Sequence, residues 1–213
     1  MKCFFCRAFE LLVTPSANFV LELTFQQEEF ESCEQILQRC EAKGIQIVIP
    51  AYSLAEPHEK LIRQAKNRSE LHRKLHDELD QLKRTESYNS RISNIEEDIS
   101  YLLLRSSGEE KKRFAQYRER LLKSAYIISL TAAILSDAAN YEVYYGLEPQ
   151  DAIVYASVIS HLRQYQPQVS CFLNRNTKDF NNHDIVNELN QFNCRMIWKF
   201  DQGYNFIESQ LSS

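Results

Sequence analysis

Three acidic side chains of this 213-residue chain hold the same place relative to the segments around them. Glu56 follows the apolar run 45–50, Asp151 opens the helical stretch that leads to the run 169–173, and Asp179 follows that run. If those runs are parallel strands, all three carboxylates arrive outside the carboxyl ends of the sheet, where open α/β sheets bind ligands. Three carboxylates meeting there repel one another unless a cation neutralises them, and hard oxygen ligands suit Mg²⁺ or Mn²⁺. Such an ion lowers the pKa of a water it binds and orients a phosphodiester for in-line attack, so these residue types point to metal-dependent hydrolysis of nucleic acid. Each acid also has a plainer reading. Asp151 suits the helix dipole, Asp179 a turn or N-cap before Phe180, and Glu56 a solvated helix face ahead of Pro57.

The elements that must carry these side chains are legible from punctuation and spacing. Gly146 can end one helix in a left-handed conformation and Pro149 can open the next, which places Asp151 in its first turn. Ala152, Ile153, Ala156 and Ile159 then make its buried face. Residues 9–14 read as a first strand stopped by Pro15, with 16–18 as its exit loop. Apolar spacing over 19–40 is helical, with a break near 25–28, and Gly44 caps it. A second strand covers 45–50, and a helix starts at Ala51. Later come a strand at 169–173, a polar loop at 174–179, a helix at 185–192 and a last strand at 194–198. This order predicts an α/β fold, a mostly parallel sheet flanked by helices with right-handed crossovers.

The middle is different in kind. Leu61, Ala65, Leu71, Leu75, Leu79 and Leu82 repeat at helical intervals, as do Ile92, Ile95, Ile99 and Leu102. Ser106-Ser107-Gly108 reads as a break before Phe114, Tyr117 and Leu121. We expect a helical hairpin or small bundle over 57–127, inserted into one α/β domain spanning 1–213, with a further helix over 122–145 leading back to Gly146. The net charge of -4 argues against a general nucleic-acid binder, but it conceals an uneven distribution. Residues 57–127 carry 16 Lys/Arg against 12 Asp/Glu, and the remainder 9 against 17, which makes a basic segment on an acidic body.

Other groups carry less. The six cysteines, Cys3, Cys6, Cys33, Cys40, Cys171 and Cys194, read as buried, reduced thiols. His72 and His76 share a helix face without an indicated third zinc ligand, and His161 and His183 are isolated. Lys111-Lys112-Arg113 with Arg118, Arg120 and Lys123 could hold phosphates, although salt-bridge lacing with Glu109, Glu110 and Glu119 accounts for them too. The lack of an apolar leader or membrane-length run predicts a cytoplasmic protein that does not enter membranes.

Three segments resemble acidic motifs of the PIN domain family, which includes VapC-type toxins. Ile49-Pro50-Ala51-Tyr52-Ser53-Leu54-Ala55-Glu56 is similar to the second motif, Leu147 through Ala156 to the third, and Asn174-Arg175-Asn176-Thr177-Lys178-Asp179-Phe180 to the fourth. The resemblance implies a Rossmann-like sheet, a divalent ion (Mg²⁺ or Mn²⁺) and RNA as substrate. It makes Glu56, Asp151 and Asp179 metal ligands or water activators, with Asn18 and Asn176 orienting ligands. It leaves room for an antitoxin-like protein and a homodimer as partners.

The first motif departs from the family. Asn18-Phe19-Val20-Leu21-Glu22-Leu23 resembles the segment after the leading aspartate, yet the aspartate's position holds Ser16, which can orient water or substrate but brings no charge. Either the site is weakened, or the residues before Ala17 are not the native start of the fold. Glu22 lies over a turn beyond Asn18 and could substitute only if the loop rearranged. The expected activity is therefore a metal-dependent endoribonuclease. The alternative is a catalytically impaired module that binds RNA or a protein partner, and a third reading makes the helical insertion an adaptor.

Overall fold

The computed structural model describes residues 11–212, apart from the side chains at 89–91, 93–95 and 97. Five short runs pair as strands: β1 (Leu11–Pro15), β2 (Gln46–Pro50), β3 (Tyr126–Ile128), β4 (Val169–Leu173) and β5 (Cys194–Ile197). All pairs are parallel and the order is β3-β2-β1-β4-β5. The chain steps outward from β1 through β2 to β3 and then crosses back to β4, so the strand order reverses between β1 and β4. That is where an open parallel sheet leaves a crevice at its carboxyl end.

Pro15 belongs to β1 rather than stopping it. It pairs with Leu173 at the end of the β1–β4 register, and the next residue donates from Ser16 N to Leu173 O at 2.9 Å. Successive residues of a strand address opposite neighbours, so the missing N–H of Pro15 faces β2, where the register runs through Leu12 and Val13. Every residue of β1 is buried. The segment just before Ala17 is thus the central strand of the sheet. Phe9, Cys3 and Cys6 lie outside the described residues.

Helices α1 (Ala17–Phe25) and α2 (Phe30–Glu41) are separated at Gln26, which adopts φ +52°. Helix α3 (Ala51–Leu82) begins directly after β2 and continues through Pro57; helix α4 (Glu86–Ser124) follows a short turn. The chain divides into two compact units, residues up to Pro57 together with Tyr117 onward, and His58–Gln116. In the second unit α3 and α4 run antiparallel. His58 stacks on Phe114 with centroids 5.7 Å apart, Arg68 Nη1 meets Glu110 Oε2 at 2.6 Å, and His72 Nε2 meets Ser100 Oγ at 3.0 Å.

Helix α4 overrides the expected break at Ser106-Ser107-Gly108. Both serine hydroxyls bond back to Leu103 O, at 3.2 and 3.4 Å, so they need no turn to satisfy them. The expected helix over 122–145 is interrupted by β3 and restarts as α5 (Ala132–Tyr145), where Thr131 Oγ1 caps Ile134 N at 3.3 Å. A helix that spacing did not suggest, α9 (Phe200–Leu211), closes the described chain.

Helix α6 (Pro149–Tyr165) lies at the centre of the packing. Gly146, at φ +66°, ends α5, and Pro149 opens α6. Val154 through Val158 are all buried in succession, so the helix is apolar nearly all round rather than along one stripe, and Ile153 is only partly covered. Tyr155 stacks edge-on to Phe180, and Phe180 to Phe172, tying α6 to β4 and to the one-turn helix α7 (Thr177–Phe180). Beyond α7 lies α8 (His183–Gln191), with its N-terminus capped by Asn182 Oδ1 on Asp184 N at 2.9 Å. Among the described residues no helix is long and apolar enough to cross a membrane.

Candidate active site

A cleft of about 340 Å³ opens where β1, β2 and β4 end. Ser16 and Asn18 enter it from the start of α1, Glu56 from α3, Asp151 from the first turn of α6, and Asn174, Arg175 and Asn176 from the segment after β4. These positions run from residue 16 to residue 176 in the sequence, and the reversal of strand order between β1 and β4 brings them together.

Asn176 organises the acids. Its side-chain amide donates 2.8 Å to Asp151 Oδ2 and 2.7 Å to Asp179 Oδ2, using both protons of one nitrogen. Its Oδ1 accepts from Asp179 N at 3.3 Å, so the same side chain also caps α7. Asp179 joins the site through Asn176 and is absent from the cleft lining, whereas Glu56 lines the cleft directly. Burial pushes the Asp151 carboxyl up to about 6, and the charges of Asp179, Glu56 and Glu148 add to this, while the Asn176 hydrogen bond opposes it. A carboxyl raised by burial and further by the carboxylates beside it is the electrostatic form of a site suited to a cation, and the all-oxygen donor set fits a hard divalent ion.

Ser16 stands at the N-cap of α1 with φ -77° and ψ 176°, but its hydroxyl makes no capping bond. The residue is 5% exposed and its Oγ has no hydrogen-bond partner among the described residues. Glu22 does not reach the cleft. It is buried, accepts from Glu29 N at 3.1 Å and is ion-paired with Arg175 Nη1. Glu29 sits 3.4 Å from Arg175 Nε and accepts from Phe200 N at 3.0 Å, so Arg175 is held in place by acids that lie outside the cleft.

Arg175 and Asn174 stand in the sequence only as members of the polar loop 174–179. Asn174 Oδ1 accepts from Asn176 N at 3.0 Å, a turn that the Asn-x-Asn spacing could have suggested. The partner of Arg175 is 153 positions away and left no local signal.

The remaining candidates resolve into packing. Cys33, Cys40, Cys171 and Cys194 are buried and free. His161 is held down to about 4 by burial and lies between Tyr126 and Tyr165. His183 Nδ1 meets Asn187 Nδ2 at 2.9 Å. His76, Asp80 and Glu96 offer ligand atoms within 4.8 Å of one another, but Lys83 ion-pairs with Glu96 and lies 3.4 Å from Asp80, so this group already contains a cation. In the basic run, Arg113 and Lys123 meet Glu109 and Glu119, and Arg120 grips both Glu34 and Glu41 at 2.8 Å.

The family model described as PIN domain matches residues 16–180. The chain belongs to the PIN domain family. No curated protein and no solved structure matches the chain significantly. As a PIN domain it has a nuclease-type α/β fold, a five-stranded all-parallel sheet flanked by helices, in a family that generally uses divalent metal ions. The matched span runs from Ser16, directly after β1, to Phe180 at the end of α7.

Proposed function

We propose that this PIN domain is an endoribonuclease that hydrolyses RNA phosphodiesters with Mg²⁺ or Mn²⁺. The observation that carries the reading is Asn176 holding Asp151 and Asp179 together while Asp151 and Glu56 line one cleft. Glu56, Asp151 and Asp179 would hold the ion, which when bound lowers the pKa of water and neutralises the phosphodiester. The protein's own contribution is positional. Asn176 sets the spacing of two carboxylates before any ligand arrives, and its donors cost no reorganisation at the moment of reaction. Asn18 and Gln150 line the cleft as neutral polar groups able to orient a substrate.

A second reading rests on Ser16. With a hydroxyl where the family has a carboxylate, the cleft has one negative charge fewer and would hold a cation more weakly. A catalytically impaired module that binds RNA or a protein partner follows from that. The two separate on end-labelled single-stranded RNA incubated with Mg²⁺ or Mn²⁺. Cleavage by the wild type that disappears in Asp151→Asn and Glu56→Gln supports the nuclease. The absence of both cleavage and calorimetric Mn²⁺ binding leaves the binding module.

A further inference from the structure

Among the described residues, two buried polar atoms on residues that line the cleft have no partner, and the two residues are neighbours in the fold. Ser16 Oγ has no partner although its residue is 5% exposed. Asn174 is 2% exposed, and its Oδ1 is committed to Asn176 N at 3.0 Å, which fixes the amide orientation and leaves Nδ2 as a donor with no acceptor. The backbone bond from Ser16 N to Leu173 O places the two residues at the adjoining ends of β1 and β4. Buried polar groups are normally satisfied, and leaving one unmade is costly, so two orphans in one cleft point to a ligand that supplies the missing acceptor.

The chemistry of that ligand follows from the donor set. Ser16, Asn174 and Arg175 all line the same cleft, and the hydroxyl, amide and guanidinium they carry can all donate. Arg175 is already oriented by Glu22 and Glu29, so little side-chain freedom is lost when an anion arrives. The carboxylates of Glu56 and Asp151 occupy the same cleft and demand a cation. A phosphate group has an oxygen for each: one for a cation, another for the donors.

We propose that Ser16, Asn174 and Arg175 form a subsite for a phosphate oxygen of a nucleotide substrate. The serine at the first motif is then a substrate-binding group in place of a metal ligand. This deepens the nuclease reading and rests on it for the nature of the substrate, but it concerns a different set of atoms.

The test uses uridine 3′-monophosphate and Mn²⁺ as separate calorimetric titrants of the full chain. Two variants are informative. Ser16→Ala deletes a hydroxyl that bonds to nothing in the described chain, so the fold should be kept. Asn174→Asp retains the oxygen that holds Asn176 N and replaces the free donor with a carboxylate oxygen. Each should weaken nucleotide binding by about 10- to 100-fold, the size of one hydrogen bond to a charged acceptor. Mn²⁺ affinity of Ser16→Ala should stay within about twofold of the wild type, well under one hydrogen bond's worth. Wild-type affinity for the nucleotide in both variants, or no nucleotide binding by the wild type, overturns the subsite even if Mn²⁺-dependent cleavage is found. Loss of nucleotide binding in the variants of a protein that binds no Mn²⁺ sustains the subsite and sinks the nuclease. Circular dichroism of each variant shows whether the fold is kept, and Ser16→Ala decides the matter if Asn174→Asp does not fold.

Discussion

Replacing Asp151 by asparagine should make the chelated protein more stable while removing its response to metal. Asp151 is half-buried beside Asp179 and Glu56, and its carboxyl is pushed from 3.8 to about 6. A folded-state pKa above the unfolded one means that ionising the group opposes folding. Stability is whole below about pH 4, declines as pH rises through about 6, and the loss is complete above that. At about 1.4 kcal/mol per pKa unit the shift corresponds to roughly 3 kcal/mol, and solvent screening at a part-exposed carboxylate reduces this to about 1–2 kcal/mol. Asparagine keeps an oxygen to accept from Asn176 Nδ2 and carries no charge. In EDTA at pH 7.5, Asp151→Asn should therefore melt about 2–8 °C above the wild type, and the gap should shrink at pH 4. Adding Mn²⁺ should raise the wild-type melting temperature through mass action and leave the variant nearly unmoved. A variant that melts at or below the wild type in EDTA at pH 7.5 would refute the idea that a buried charge beside other carboxylates opposes folding here.

Asn176→Asp exchanges a double donor for a third carboxylate beside Asp151 and Asp179, so it should cost about 1–3 kcal/mol in EDTA and recover much of that with Mn²⁺, as read by chemical denaturation. Glu188 accepts hydroxyls from Tyr141, Tyr145 and Tyr155 and pairs with Arg163 at 3.1 Å. Glu188→Ala should lower stability by about 2–4 kcal/mol, because Tyr155 is fully buried and its hydroxyl would lose the carboxylate it donates to at 2.8 Å. Gly108 lies inside α4 with open space where a Cβ would go, and Gly108→Ala should stabilise the hairpin by about 0.5–1 kcal/mol, measurable as slower amide exchange along α4.

What depends on neighbours within one turn or one strand is legible in the sequence alone. Gly146 in the left-handed region, Pro149 at the first position of α6 and Asp151 just inside it follow from the backbone preferences of those residue types. The interiors of β2 and β4 are marked by apolar β-formers, Glu56 and Asp179 by their place after strands, and Asp151 by the helix start that carries it. Tertiary structure decided the rest. β3 is an edge strand of three residues with Tyr126 exposed, too short for periodicity to reveal, and it exists because β2 offers Val48 through Pro50 for pairing. Helix α4 runs through Ser106-Ser107-Gly108 because the serines bond to their own helix, so residues that punctuate loops elsewhere are accommodated there. Arg175 finds Glu22 across 153 positions, and Glu188 gathers three tyrosines from two other helices. Above all, Ser16 is legible in sequence as a missing charge. Its meaning as a buried hydroxyl without a partner, next to an amide in the same condition, arises only when β1 and β4 are set side by side.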